Sequence, residues 1–429
     1  MESVLTLILL GVLFSLGVPV AFALAGAGLV GIWLITGSFT SVMAVFGTTP
    51  FSSVANYTLT TIPMFILMAF FSASGGLAQD LFDTASSWLS QIRGGLGMAT
   101  VFACGVFGAM SGTSLAAASV MAAIAMPNMR RLGYSESLSA GVIGVGATLD
   151  TLIPPSLSMV LYGILTGQSI GKLLIAGIIP GIVFAIILVS IILIWVTVSP
   201  KSAPMTQPGS WEARWRSLIR TWPGILMILM ITAALYTGVA TPTEVGGIGA
   251  FLAAVIGVAM GRLTWASAED AIKKTISVSA MIFMLIIGGY IFGYFVTLSQ
   301  MPQHIMSAVN EMNIDRWVLM IGVCFSYFIL SMFMDEIVLM IITIQVAYPL
   351  IISMGFDPIW FGVVMILLIC VGLVFPPVGT IAFIVSTVTK VDLVKVYKGT
   401  SILSIALFIT IFLIMVFPQI VLWLPSTMK

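Results

Sequence analysis

Charge is what this chain has least of. Asp, Glu, Lys and Arg make up 7% of its 429 residues, against 60% hydrophobic, where a soluble domain carries about 25% charged residues. The net charge of +1 offers no basic surface for nucleic acid. The single histidine, His304, lies in the short amphipathic stretch QMPQHIMSAVNEM. One histidine cannot build a zinc site or a Ser-His triad of the usual kind, and a surface position is expected. Cys104, Cys324 and Cys370 stand singly in apolar runs. They imply no disulfide framework and no metal-ligand spacing, only lipid-facing or core positions. A phosphate-binding loop and a sizeable polar domain are both missing, which excludes an ATP-driven pump. MESVLTLILLGVLF also lacks a basic n-region and a small-residue cleavage site, so it is expected to stay as the first membrane helix.

What the chain does have is apolar runs of bilayer-crossing length. They cover 4–17, 19–36, 59–75, 95–126, 137–170, 173–199, 223–239, 243–262, 275–298, 317–352, 358–388 and 401–424. About 20 apolar residues span a bilayer as a helix, and the short alternating segments of a β-barrel are absent. The fold class is therefore all-α and polytopic. An interfacial helix is expected over 38–58. The least hydrophobic connection, Ser199 to Gly224, carries Lys201, Arg214, Arg216 and Arg220 against Glu212, and the positive-inside rule places it in the cytoplasm. Propagated along the chain, that orientation puts the 299–316 connection and both termini outside. It keeps Arg93, Arg130 and Arg131 inside if 95–126 re-enters without crossing.

An internal repeat supports this topology. Pro127 and Pro349, Gly133 and Gly355, and Pro154-Pro155 and Pro376-Pro377 all stand 222 positions apart. Opposite orientations for the two copies make them inverted repeats, each with a re-entrant hairpin and a crossing helix interrupted at Pro-Pro. The expected organisation is N-terminal scaffold helices in 1–58 and a first repeat in 59–199, with its hairpin at 95–126. A cytoplasmic loop and scaffold helices occupy 200–268, and a second repeat fills 269–429, with its hairpin at 317–352. The first tip turns near Ser111-Gly112-Thr113-Ser114 and the second near Met334-Asp335-Glu336, so both carry oxygen.

The stretch GATLDTLIPPS, Gly146 to Ser156, is where the chemistry concentrates. Two prolines remove backbone donors and clash with the preceding turn, freeing carbonyls of roughly residues 150–153. Within a bilayer such groups persist only where protein, water or an ion satisfies them. A hard cation suits carbonyls plus a hydroxyl, and helix ends add their dipoles. A packing kink repaired by water or Ser/Thr is the bland alternative. Asp150, Asp335 and Glu336 have no basic residue in the neighbouring apolar runs, which favours cation coordination or protonation over ion pairing. Glu244, by contrast, is expected at a helix start capped by Thr241 or Thr243.

LGVPVAFAL, TLDTLIPPS, GFDPIWFG and GLVFPPVGT together resemble the large membrane subunit of TRAP (tripartite ATP-independent periplasmic) transporters, over essentially the whole chain. The resemblance implies Na⁺-coupled uptake of an organic acid, such as a C4-dicarboxylate or sialic acid, across the bacterial inner membrane by an elevator motion. It implies two partners: a periplasmic substrate-binding protein, and a small four-helix membrane subunit expected as a separate chain. By residue, it implies one Na⁺ site around Gly108, Ser111 to Ser114, Asp150, Ile153 and Pro155. A second would use Phe333, Asp335, Glu336, Gly372, Phe375 and Pro377. Substrate would lie between the tips, near Gly112, Thr113, Ser156, Gly379 and Thr380. The second hairpin, MDEIVLMIITIQ, departs from the small-residue pattern of the family by being acidic and β-branched, which leaves a proton as a possible substitute for one Na⁺.

Two other readings remain at this point. A self-sufficient ion-coupled carboxylate carrier would need neither partner. An intramembrane enzyme would use Asp150 and Asp335 as a carboxylate pair, but under the repeat Asp150 falls on Gly372 and Asp335 on Thr113, so the acids are not equivalent. No nucleophile-base constellation is present, and no enzymatic activity is expected.

Overall fold

A computed structural model describes residues 2–204, 211–312 and 314–428. Of the basic connection expected from Ser199 to Gly224, residues 205–210 lie outside the described ones. So do residue 313 of the expected 299–316 connection and the terminal residues 1 and 429. No strand occurs among the described residues.

The first half of the chain runs α1 Glu2–Ser15, α2 Val20–Thr36, α3 Phe39–Val54, α4 Thr61–Ser74, α5 Leu77–Leu89, α6 Gly95–Ser111, α7 Ser114–Arg131, α8 Glu136–Ala147, α9 Leu157–Thr166, α10 Ile170–Ala176 and α11 Ile178–Val198. The second runs α12 Trp211–Thr237, α13 Pro242–Ala259, α14 Trp265–Leu298, α15 Met301–Glu311, α16 Arg316–Ser331, α17 Glu336–Ser353, α18 Pro358–Val374, α19 Thr380–Thr389, α20 Leu393–Leu403, α21 Ile405–Val416 and α22 Gln419–Ser426. Among the described residues, seven helical segments are long and apolar enough to cross a membrane.

Local chemistry explains where these helices begin. Thr241 accepts from the Glu244 amide while Glu244 reaches back to the Thr241 amide, a capping box of the expected kind. In GFDPIWFG, Asp357 accepts from the amides of Ile359 and Trp360, and Pro358 takes the first helical position, where its missing N–H is harmless. Asp315 and Asp392 cap α16 and α20 in the same way. Several boundaries differ from the sequence reading: the crossing expected at 275–298 begins at Trp265, and the run 401–424 is divided among α20, α21 and α22. Residues 211–223, read as connection, form the first turns of α12. Glu212 pairs with Arg216 one turn later at 2.6 Å, and Trp88 meets Trp211 and Trp215 edge-on, so the stretch is a helix with one packed side.

Helices recur with the sequence offset. α2, α7 and α8 begin 222 positions before α13, α17 and α18. Gly133 and Gly355, which follow α7 and α17, both have positive φ, 75° and 77°, a conformation that glycine adopts without steric cost. Packing is reciprocal as well: α2 lies on α14 while α13 lies on α4, and α7 lies on α19 while α17 lies on α9. The centre belongs to α6, α8 and α18; α18 is buried without interruption from Trp360 to Val374. α16 is buried only along Met320, Cys324, Tyr327 and Ser331, one stripe at helical spacing. Exposed apolar side chains on α1, α3, α11 and α12 give the bundle the lipid-compatible surface of a multi-pass membrane protein.

Two ion pairs tie distant segments together. Arg262, between α13 and α14, donates to both Asp80 oxygens at 2.5 and 3.1 Å and to the carbonyls of Gly75 and Gly76. It thereby pins the α4–α5 corner. Arg262 is held above its ordinary pKa by hydrogen bonding to Asp80. Arg262→Ala leaves the 5%-exposed Asp80 unpaired and is expected to cost about 3 kcal/mol, read as a lowered midpoint of thermal unfolding in detergent. The second pair joins Glu136 at the start of α8 to Lys395 of α20 at 2.8 Å and to Arg130 at 3.3 Å. The Lys395 hydrogen bond holds the Glu136 carboxyl below its usual value. Its contribution, small for so exposed a pair, is therefore present above the ordinary carboxyl pKa and lost as pH falls through the depressed one. Denaturation of wild type and Glu136→Gln should differ at neutral pH and converge in acid.

Candidate functional site

Hairpin α6–α7 brings its tip against the break in the first interrupted helix. α8 tightens into a 3₁₀ turn over Thr148–Thr151 before Pro154-Pro155, and α9 restarts at Leu157. The Thr148 and Thr151 hydroxyls donate to the carbonyls of Val145 and Thr148 at 2.8 Å. The threonine hydroxyls thus bond back into the turn itself, while the Asp150 carboxylate turns elsewhere.

Asp150 projects from that 3₁₀ turn and is 1% exposed. Its Oδ1 accepts from Ser114 Oγ at 2.6 Å, while Oδ2 has no partner. The approach is close because Gly108 faces it. A Cβ on Gly108 would lie 2.5 Å from Asp150 Cβ and 2.8 Å from its Cα. Ser111 and Ser114 are buried beside it, and Ser111 donates to the Gly108 carbonyl at 3.3 Å. Gly112 turns the tip at φ 65°. Thr113 precedes α7 without a side-chain cap bond, and Pro155 is buried with Ile153 half-buried. The residues expected at a first cation site therefore meet in one place: a buried carboxylate with a free lone-pair face, two hydroxyls and the backbone of a broken helix.

The second half is built differently. Gly372, the counterpart of Asp150, lies flat against Ser331, whose main chain and hydroxyl a Cβ there would overlap. Ser331 Oγ donates to the Phe328 and Leu368 carbonyls at 2.9 and 3.3 Å. Asp335 caps α17, accepting from the Ile337 amide at 3.1 Å. Its role is in part structural. Glu336 is 7% exposed, and its Oε1 has no partner. The acid thus sits on the broken helix in one half and on the hairpin in the other. Phe333 is exposed and Phe375 half-buried against Phe328 and Phe408. Pro377 is exposed, its carbonyl accepting from the Tyr397 hydroxyl at 2.9 Å.

A cavity of about 850 Å³ runs between the two hairpin tips and helices α4 and α14. Ser111, Gly112, Thr113, Ser114, Asp335 and Glu336 line it. The expected substrate residues Ser156, Gly379 and Thr380 are absent from that lining. Ser156 is occupied as the α9 cap, accepting from the Met159 amide at 3.4 Å, and Thr380 opens α19, which packs on α7, α8, α18 and α20. Its Oγ1 is nonetheless buried without a partner. Ser158, which also lines the cavity, escaped the sequence reading although it stands 222 positions before Thr380; the repeat was the available signal. The Asp80–Arg262 pair escaped too, because its partners are 182 positions apart. The two halves touch at Thr151 Oγ1 and Cys370 Sγ, 3.3 Å apart.

Paired hairpins, two interrupted helices and a polar-tipped cavity inside an apolar bundle define a multi-pass membrane transporter. The solved structure of the Alcanivorax borkumensis YdaH transporter shares the fold, with a TM-score of 0.58 over 90% of this chain and 88% of that one, at 12% identity. The chain belongs to the DctM component family of tripartite ATP-independent periplasmic transporters, whose profile matches residues 7–420. It is similar to the C4-dicarboxylate TRAP transporter large permease protein DctM of Pseudomonas aeruginosa, 31% identical over 88% of both chains. It also resembles the ectoine permease TeaC of Halomonas elongata, 30% identical over 99% of both. The sialic acid permease SiaM of Vibrio cholerae is 29% identical over 97% of this chain and 96% of that one.

The Gly108–Asp150 contact makes a direct prediction. Gly108→Ala must push Asp150 aside and is expected to cost about 1–3 kcal/mol, measured by thermal unfolding. The same displacement should abolish any ion-dependent gain in thermal stability, whereas Gly247→Ala, inside α13 with open space around it, should leave that gain in place and not lower the unfolding midpoint.

Proposed function

We propose that this chain is the large permease of a Na⁺-coupled, binding-protein-dependent importer of an organic acid in the bacterial inner membrane. The observation that carries the reading is Asp150: a buried carboxylate at a helix break, hydrogen-bonded to Ser114 on one oxygen and unpartnered on the other. Among the described residues no basic side chain pairs with it, and an uncompensated charge in a bilayer-spanning bundle is costly. A monovalent cation drawing on Asp150, Ser114, Ser111 and carbonyls near Gly108 and Ile153 would neutralise it. The equivalent region around Gly372 and Phe375 is the second ion-binding candidate.

The organic-acid class rests on the relatives, whose names specify C4-dicarboxylate, ectoine and sialic acid. Family membership supports the two partners, a small membrane subunit and a periplasmic binding protein. The reciprocal packing supports inverted repeats in which the hairpins and broken helices move as an elevator against a frame of α2, α4, α13 and α14. By the positive-inside rule, the charged start of α14, with Asp270 and Lys274 at the cavity, lies on the cytoplasmic side, so this conformation faces inward.

The test is uptake of labelled organic acids into proteoliposomes holding this chain and its small subunit, with binding protein outside and an inward Na⁺ gradient. Uptake is expected to require all three proteins and Na⁺. Uptake indifferent to the binding protein would replace the reading with a self-sufficient carrier. Asp150→Ala should weaken apparent Na⁺ affinity about tenfold or more, equivalent to about 1.4 kcal/mol, with the fold intact by thermal unfolding.

A further inference from the structure

The charge around the cavity carries information about its cargo. Two carboxylates, Asp335 and Glu336, line the wall between the tips. Glu336 is more than nine-tenths buried, yet its Oε1 meets no donor. Lys274 is the only basic side chain lining the cavity among the described residues, and it is already held by Asp270 at 2.6 Å. The remaining polar groups lining the cavity are hydroxyls, among them Ser111 and Thr113 at the first tip and Ser158 on α9, beside the Glu336 carboxyl.

A dianionic dicarboxylate placed here would meet carboxylates and no free guanidinium or ammonium. Coupling cations offset some of that repulsion, but one bound at Asp150 is already balanced by Asp150 itself. A solute carrying its own positive group inverts the situation. Its ammonium or amidinium donates to Glu336, supplying the missing donor to Oε1. Its carboxylate can take hydrogen bonds from the tip hydroxyls. Burying a charge is tolerable when it is paired and hydrogen-bonded, and costly otherwise.

Resting on the transporter reading above, we propose that the cargo is a zwitterionic organic acid, whose cationic group is bound by Glu336, and not a dianionic dicarboxylate. Glu336 is then a specificity-determining residue facing the solute, whereas Asp150 serves the coupling ion. The swap of the acid from broken helix to hairpin tip has a purpose under this assignment: it moves one carboxylate out of the ion-binding position and into the cavity wall.

The experiment uses the purified complex of this chain with its small subunit and follows thermal unfolding with three probes at millimolar concentration: ectoine, succinate and N-acetylneuraminate. Each is measured with and without Na⁺. Ectoine, the zwitterion, is expected to stabilise the wild type and to bind at least about tenfold more tightly than either anion. Glu336→Gln, which keeps size but removes charge, should erase that preference by weakening ectoine about tenfold or more while retaining the Na⁺-dependent shift. Glu336→Asp should restore part of it. The proposal is overturned if succinate binds the wild type as tightly as ectoine does, if ectoine does not bind, or if the preference survives Glu336→Gln. Loss of the Na⁺ shift in Glu336→Gln would also overturn it, by making Glu336 an ion ligand. Absence of any Na⁺ shift in the wild type would instead sink the ion-coupled reading, separately from the choice among probes.

Discussion

An unpaired polar group within a bilayer-spanning bundle must find a partner inside the protein, and the structure is arranged around two places where that requirement is deliberately left half-met. At the first, the chain tightens into a 3₁₀ turn ahead of Pro154-Pro155, with the Thr148 and Thr151 hydroxyls bonding the carbonyls of Val145 and Thr148. Beside that turn the unmet requirement is electrostatic and localised on Asp150. Gly108 allows the hairpin to press against it and Ser114 satisfies one oxygen. The free face of the carboxylate is thus held rigidly, at the junction of a hairpin and a broken helix. Binding sites built on such fixed elements keep their geometry better than sites on loops.

The second place reuses the architecture with its parts exchanged. The broken helix contributes Gly372, the hairpin contributes Ser331 at the close contact, and the acid has moved to Glu336 at the tip. Duplication of a scaffold leaves two copies of every position free to diverge, and packing limits how. Where hairpin meets broken helix, the room near Gly372 is already filled by Ser331, as that near Gly108 is by Asp150. An acid on α18 would therefore overlap its neighbour. Glu336 avoids the overlap by projecting from the other arm.

Around these sites the bundle divides by burial. α8 and α18 are enclosed over most of their length and α6 except at Phe102, whereas α16 contributes one stripe and α1, α3, α11 and α12 expose apolar side chains. Polar links between distant segments are specific, among them Arg262 on the α4–α5 corner, Lys395 on Glu136, Thr151 on Cys370, Thr61 on Thr243 and Gln168 on Tyr348. In a chain with so little charge, the Asp80–Arg262 and Glu136–Lys395 pairs each fix a particular junction, and only the first is buried enough to matter for stability.

The sequence by itself determined the helical membrane class, the 222-residue offset and the convergence of interest on Asp150, Glu336 and the two tips. Each rests on a local property: apolar run length, proline chemistry, or an acid where no base is near. What only the tertiary structure decided was which of these residues share space. That Asp335 caps a helix while Glu336 faces the cavity, that Ser156 and Pro377 are occupied locally, and that Asp80 has a partner 182 positions away all depend on side-chain direction and on helices brought together by the fold. The residues 211–223, read as loop from their charge, became helix because the tryptophans of one face found Trp88 to pack on. Periodicity and composition act along the chain, but partnership of buried polar groups is set across it, and only packing establishes it.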